Sequence, residues 1–431
     1  MCLISRAETE RTTKVWQRYA SSRSGSTKGQ YSAILLHFPL PTHNATGCGE
    51  TLTRELVRLY VSVFVASLGA GLYVYFIPLY AQKFGASFLD LGFIGTAYAV
   101  TYAMGPIFAG YIADKVNRAW LYSLGITLIA LVTITLTLVR SVADIVILRS
   151  SAGLAFAFFW PTSEVLVADL ASEENRLKEM GVYSVFWCSG FLIGPMLGGL
   201  ILQAYSYTWL FLTSFVLITC ALVMAVAWVV PRHTRRNRHN PIADFTGSFS
   251  IMKSLTSWYM VILCYGIITS VLTSIFPGYA NLVGIDPALI GILFSAYSLA
   301  RIFIYAVVGR LQYFGETRVL LAVSAVFGAG ILCIGILPGF DGFLLGLVLM
   351  GCCSGAMFPL MINLISRHFP AEKLGVAVGS YEAVFGLGSV MGPILAGSLA
   401  SFGSARWAFV LFSLFGAVMF LFVTIGKSLQ S

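Results

Sequence analysis

From about residue 54 onward the chain is a succession of long apolar runs separated by short polar turns. A hydrocarbon core of about 30 Å takes about 20 residues of helix, so such runs predict membrane-crossing helices. Twelve spans fit the pattern: 55–81, 88–112, 119–139, 143–170, 180–202, 207–230, 257–282, 287–310, 318–338, 342–366, 374–400 and 406–426. Residues 1–53 are polar, rich in Ser, Thr and Arg, and lack an apolar helical period, which predicts a disordered tail. The expected class is an all-α integral membrane protein.

Composition agrees. The chain is 58% hydrophobic and 10% charged, where a soluble globular domain carries about 25% charged residues. The net charge of +9 is explained by its distribution. With both termini on one side, only Lys83, Arg140 and Arg406 fall in the opposite loops, and only Arg149 and Arg301 within spans. That asymmetry predicts both termini in the cytoplasm of a plasma-membrane protein. Bilayer, not nucleic acid, is the expected partner. The eight cysteines have no metal-ligand spacing. The histidines lie in the tail or loops, and Leu421 replaces the first glycine of the P-loop-like "IGKS" at 425–428. No metal, cofactor or enzymatic site is expected.

The chain repeats itself. "GFLIGPMLGG" at 190–199 is answered by "GSVMGPILAG" at 388–397. Pro78 answers Pro277, Gly92 answers Gly291, and Gly153 answers Gly351, at offsets of 199 and then 198. Two pseudo-symmetric six-helix bundles are predicted, at 54–230 and 256–431, joined by a basic cytoplasmic linker over 231–255. Repeated halves point to a transporter with its site at their interface near mid-membrane. They argue against a channel.

Three stretches then carry a resemblance. The loop after span 2 holds Gly110, Asp114, Lys115 and Arg118, span 4 holds Arg149-x-x-x-Gly153, and span 5 holds Gly190, Gly194, Pro195, Gly198 and Gly199. From about 54 to 427 the sequence resembles the major facilitator superfamily. It departs at Asn117, where the family loop has Gly, and at Ala119, where it has a basic residue; Asn tolerates left-handed backbone, so the turn is expected to survive. In the second copy Tyr313 stands at the Asp position. The span 5 signature implies a proton-coupled antiporter of the drug-exporting kind, acting as a monomer. The resemblance also implies that spans 5 and 11 flank the interface between halves. Gly190, Gly194, Pro195, Gly198, Gly199, Gly392 and Pro393 are therefore expected at that interface, although Gly and Pro destabilise a helix interior in water by about 1 and 3 kcal/mol. It implies a gating latch from Asp169 to the basic loop.

Four charges fall inside spans: Arg149, Glu164, Arg301 and Glu382. Intramembrane charges are costly and mark functional sites by default. None has a charged counterpart in the other half. Counting from the nearest loop charge, Glu164, Arg301 and Glu382 lie at one depth, about 13 Å in from the cytoplasmic loops at 1.5 Å per residue. Arg149 is about 22 Å farther along its helix than Glu164. Helical spacing groups Trp160 with Arg149 and Glu164, Tyr183 with Trp187, and Tyr297 with Arg301; with Tyr265 and Tyr381 these predict a central cavity. Glu382 and Glu164 are the expected proton carriers, with Arg301 as partner. A guanidinium beside a carboxylate favours its charged form. A changing Arg–Glu distance would thus bind and release a proton in step. The expected cargo is a small hydrophobic or amphipathic solute, exported against protons. The alternative is a symporter or uniporter importing a small organic anion, sugar or other nutrient.

Overall fold

The computed structural model describes residues 47–113, 117–172, 175–230, 249–369 and 374–428. Most of the tail 1–53 and of the linker 231–255, and the loop residues Asp114 and Lys115, lie outside them. The first helix starts at Gly47, inside the stretch assigned to the tail, and the short helix Phe249–Ser254 lies within the linker range.

Twelve rods follow: α1 (Arg54–Lys83), α2 (Phe88–Ala113), α3 (Arg118–Leu138), α4 (Val142–Leu170), α5 (Arg176–Ala204), α6 (Tyr207–Val229), α7 (Thr256–Ser274, continued by Phe276–Leu282), α8 (Pro287–Leu311), α9 (Glu316–Ile336), α10 (Phe340–Ser366), α11 (Leu374–Phe402) and α12 (Ala405–Ser428). Eleven rods are long and apolar enough to cross a membrane among the described residues, and α2 occupies the remaining position with 26 residues.

Local chemistry sets the ends. Ser141 and Asp144 form a capping box that starts α4. Asn117 starts α3 as an N-cap at φ −59°, its side chain accepting the Ala119 N–H. The expected left-handed turn at Asn117 is thus replaced by side-chain capping, which needs no positive φ. Gly85 and Gly284, 199 residues apart, do take positive φ, 82° and 90°, and close equivalent turns after α1 and α7. Each of those rods breaks before a proline, Pro78 or Pro277, which sits where a helix start needs no N–H.

Packing repeats the duplication. In the first bundle α1 lies against α5 and α6, and α4 against α2 and α3. In the second, α7 lies against α11 and α12, and α10 against α8 and α9. The bundles meet along two equivalent seams, α5 on α8 and α2 on α11.

Candidate functional site

The glycines of α5 and α11 explain how the seams form, and they correct one expectation. A side chain at Gly190, Gly194 or Gly198 would run into α1, at Ser67, Gly71 and Leu72; one at Gly392 would run into α7 at Ile267 and Ser270. These four serve close packing inside a bundle, where small residues let backbones approach, and do not lie on the interface between bundles. Gly199 does, against Pro287 and Ala288 of α8. The prolines also face the seams: the Pro195 carbonyl lies under Gly291 of α8, and the Pro393 carbonyl under Gly92 of α2.

Hydroxyl groups stitch the same seams. Ser295 of α8 donates to the Leu192 carbonyl (2.6 Å), and Thr96 of α2 donates to the Val390 carbonyl (3.0 Å), at matching positions of the repeat. Ser298 donates to the Phe191 carbonyl at 3.0 Å. Pro195 has no N–H for that carbonyl, so Ser298 supplies the missing donor. At the loop between α1 and α2, Gln82 donates to the Gly278 carbonyl and accepts from Asn281. Deeper in, Tyr75 stacks on Phe294 of the other bundle with centroids 3.9 Å apart. All these bonds lie between the loop end of Gln82 and the middle of the helices. In the half nearer Leu170 and Leu374, the described residues give one hydrogen bond between bundles, Arg301 to Cys188, close to mid-helix.

That open half holds the acids. Glu164 of α4 and Glu382 of α11 are both exposed, though they lie about 9 and 12 Å from the ends of their helices at 1.5 Å per residue. They lie within electrostatic range of each other and of Tyr102. Among the described residues neither has a hydrogen-bond or ion-pair partner. The expected pairing of Arg301 with Glu382 is absent: Arg301 reaches across the seam to Cys188 (Nη2 to Sγ 3.7 Å) and stacks on Trp187 (4.5 Å) and Tyr297 (5.5 Å). Arg149 stacks on Tyr98 (4.3 Å) one helical turn from Gly153, where a side chain would strike Thr101 and the Tyr98 carbonyl.

The expected cavity lining divides in two. Trp160 and Trp187 are half-buried and pack edge to face at 5.4 Å. Tyr183, Tyr265, Tyr297 and Tyr381 are buried instead of exposed, Tyr297 with its ring against Arg301. Three of them are polar pins: Tyr183 bonds Ser163, and Tyr265 and Tyr297 both bond Ser354. Burying a phenol calls for a partner for its hydroxyl, and a neighbouring helix supplies it.

At the open end Arg118 pairs with Asp169 between α3 and α4. Gly110 lies in the last turn of α2. The second bundle has an equivalent clamp that its degraded loop motif conceals: Arg367, at the repeat position of Asp169, pairs with Glu316 at 3.0 Å. The signs are reversed between the two copies.

Comparisons with known proteins agree with this architecture. The family model of the Major Facilitator Superfamily matches residues 59–284 and 258–428. The quinolone resistance protein NorA of Staphylococcus aureus is 23% identical over 366 residues, covering 81% of this chain and 90% of that protein. Multidrug resistance protein 2 of Bacillus subtilis is 24% identical over 358 residues, covering 80% and 88%. Among solved structures, the nucleoside transporter NupG superposes with a TM-score of 0.69 at 12% identity, over 86% of this chain and 99% of that one. The human organic anion transporter MFSD10 does so with 0.63 at 17%, over 86% and 99%. With two equivalent six-helix bundles meeting along two seams, and a family match across nearly all of them, this chain belongs to the Major Facilitator Superfamily and is a multi-pass membrane transporter of small solutes.

Proposed function

We propose that the chain is a proton-coupled antiporter that exports amphipathic solutes across the plasma membrane, with both termini cytoplasmic. The observation that carries this reading is the pair Glu164 and Glu382, one from each bundle, exposed and without a hydrogen-bond or ion-pair partner among the described residues, while the Gln82 end is bonded between bundles. Two such carboxylates can exchange protons with cytoplasmic water in this state, and with the other side once the bundles rock. Trp160 and Trp187 give the cleft apolar walls for cargo. The likeness to a quinolone resistance protein and a multidrug resistance protein supports a drug-like cargo.

The test is flux in liposomes holding a pH-sensitive dye. With a proton gradient imposed, hydrophobic cations are expected to trigger a proton leak opposite to their own movement. Glu382→Gln is expected to abolish the leak, and Glu164→Gln to lower it at least about tenfold. Cargo flux without proton movement, unchanged in both variants, overturns the coupling. A leak in the same direction as the cargo selects the second reading, a symporter importing an organic anion or other nutrient, which Arg149 and Arg301, without a carboxylate partner among the described residues, favour.

A further inference from the structure

Arg301 is a cation at every pH the protein meets, and it lies in the middle of α8. Its Nε is closed off from solvent and has no hydrogen-bond partner. Nη2 rests on the Cys188 sulfur at 3.7 Å, and the guanidinium plane lies 4.5 Å from Trp187 and 5.5 Å from Tyr297. Among the described residues no carboxylate forms an ion pair with it. Withdrawing a cation from water costs several kcal/mol even after the protein relaxes. Cation–π contact returns about 0.5–2 kcal/mol, and a thiol is a weak acceptor. Arg301 stays partly exposed, so an incoming anion can reach the charge that these neighbours leave uncompensated.

Its location gives the imbalance a use. Arg301 comes from one bundle, Trp187 and Cys188 from the other. Trp187 continues into Trp160 and Phe191, with centroids 5.4 and 6.1 Å away, so an aromatic wall leads up to the guanidinium.

We propose that Arg301, walled by Trp187 and Tyr297, is the docking site for the carboxylate of an aromatic organic acid, so that such cargo binds acid group inward across the α5–α8 seam. This rests on the transport reading above. A guanidinium offers two parallel N–H donors in the geometry a carboxylate accepts. The flat ring system of the cargo lies along the Trp187–Trp160 wall. A cargo held this way touches both bundles, so its binding free energy bears on their relative position.

The experiment compares naphthoate with its uncharged isostere naphthamide, by titration calorimetry on the purified full chain in nanodiscs. Charge-assisted hydrogen bonds contribute about 1.5–3 kcal/mol, so wild type is expected to bind naphthoate at least about tenfold more tightly than the amide. Arg301→Gln is expected to bind the two alike, and Arg301→Lys to restore part of the preference, both with unchanged melting temperature. Equal binding of acid and amide by wild type overturns the proposal, as does a preference that persists in Arg301→Gln. Proton-coupled flux of a hydrophobic cation, measured in parallel in Arg301→Gln, separates the two readings. If that flux persists while the acid preference is missing in wild type, only the anion site falls. If no cargo moves in wild type while the acid preference is present, the transport reading falls and the anion site stands.

Discussion

Gly194 and Gly291 both sit at helix crossings, yet a side chain at each has a different consequence. A Cβ at Gly194 would lie 2.8 Å from the Gly71 backbone, inside one bundle, where rocking of whole bundles would leave the contact intact. Gly194→Val is therefore expected to lower the melting temperature, at a cost of about 1–3 kcal/mol for overpacking. A Cβ at Gly291 would run into the Pro195 carbonyl across the seam, a contact that the proposed rocking of the bundles would break. Gly291→Val is expected to keep the melting temperature near wild type, stop flux and lengthen spin-label distances across the Gln82 end; an unchanged distance would contradict this. The four intramembrane charges were legible at this scale because each is costly in lipid. Their partners were not. Counting residues gives depth along a helix but not the direction in which a side chain leaves it. Arg301 and Glu382 share a depth and still face different neighbours.

The two clamps at the open end differ in worth as well as in sign. Arg118 and Asp169 have side chains only 15% and 5% exposed, while Arg367 and Glu316 are 58% and 17% exposed. Removing one member of a buried pair leaves an uncompensated charge and costs about 3–5 kcal/mol, whereas an exposed pair contributes about 1 kcal/mol or less. Asp169→Asn is thus expected to lower thermal stability far more than Glu316→Gln. Exchanging the first pair, Arg118→Asp with Asp169→Arg, is expected to recover much of what either change alone loses. A double variant no better than the singles would show that the residues do not act as a pair. The first clamp was legible from the loop signature. The second was not, because its charges are reversed and its acid stands on Glu316, three residues past Tyr313, so a position-by-position comparison reads the copy as lost.

Across the whole molecule, the twelve rods and the twofold repeat were written in the apolar periodicity and in paired glycines and prolines. Which glycines face the partner bundle was not, since a helix with small residues on several sides offers more than one smooth face. The sealed side suggests a direct check. Gln82→Cys with Asn281→Cys, in a background freed of native cysteines, is expected to accept a short thiol cross-linker, lose transport, and regain it when the linker is cleaved; transport that survives the linker would exclude rocking about this closure. The two seams themselves are unequal. Among the described residues, α5 and α8 share the Ser295, Ser298 and Arg301 bonds, whereas α2 and α11 share the Thr96 bond. If the bundles rock as proposed, the molecule is expected to open less like a clam than like a door, with α5 and α8 as the hinge post and α2 and α11 as the free edge, so that cargo released on the far side would pass closest to α2 and α11.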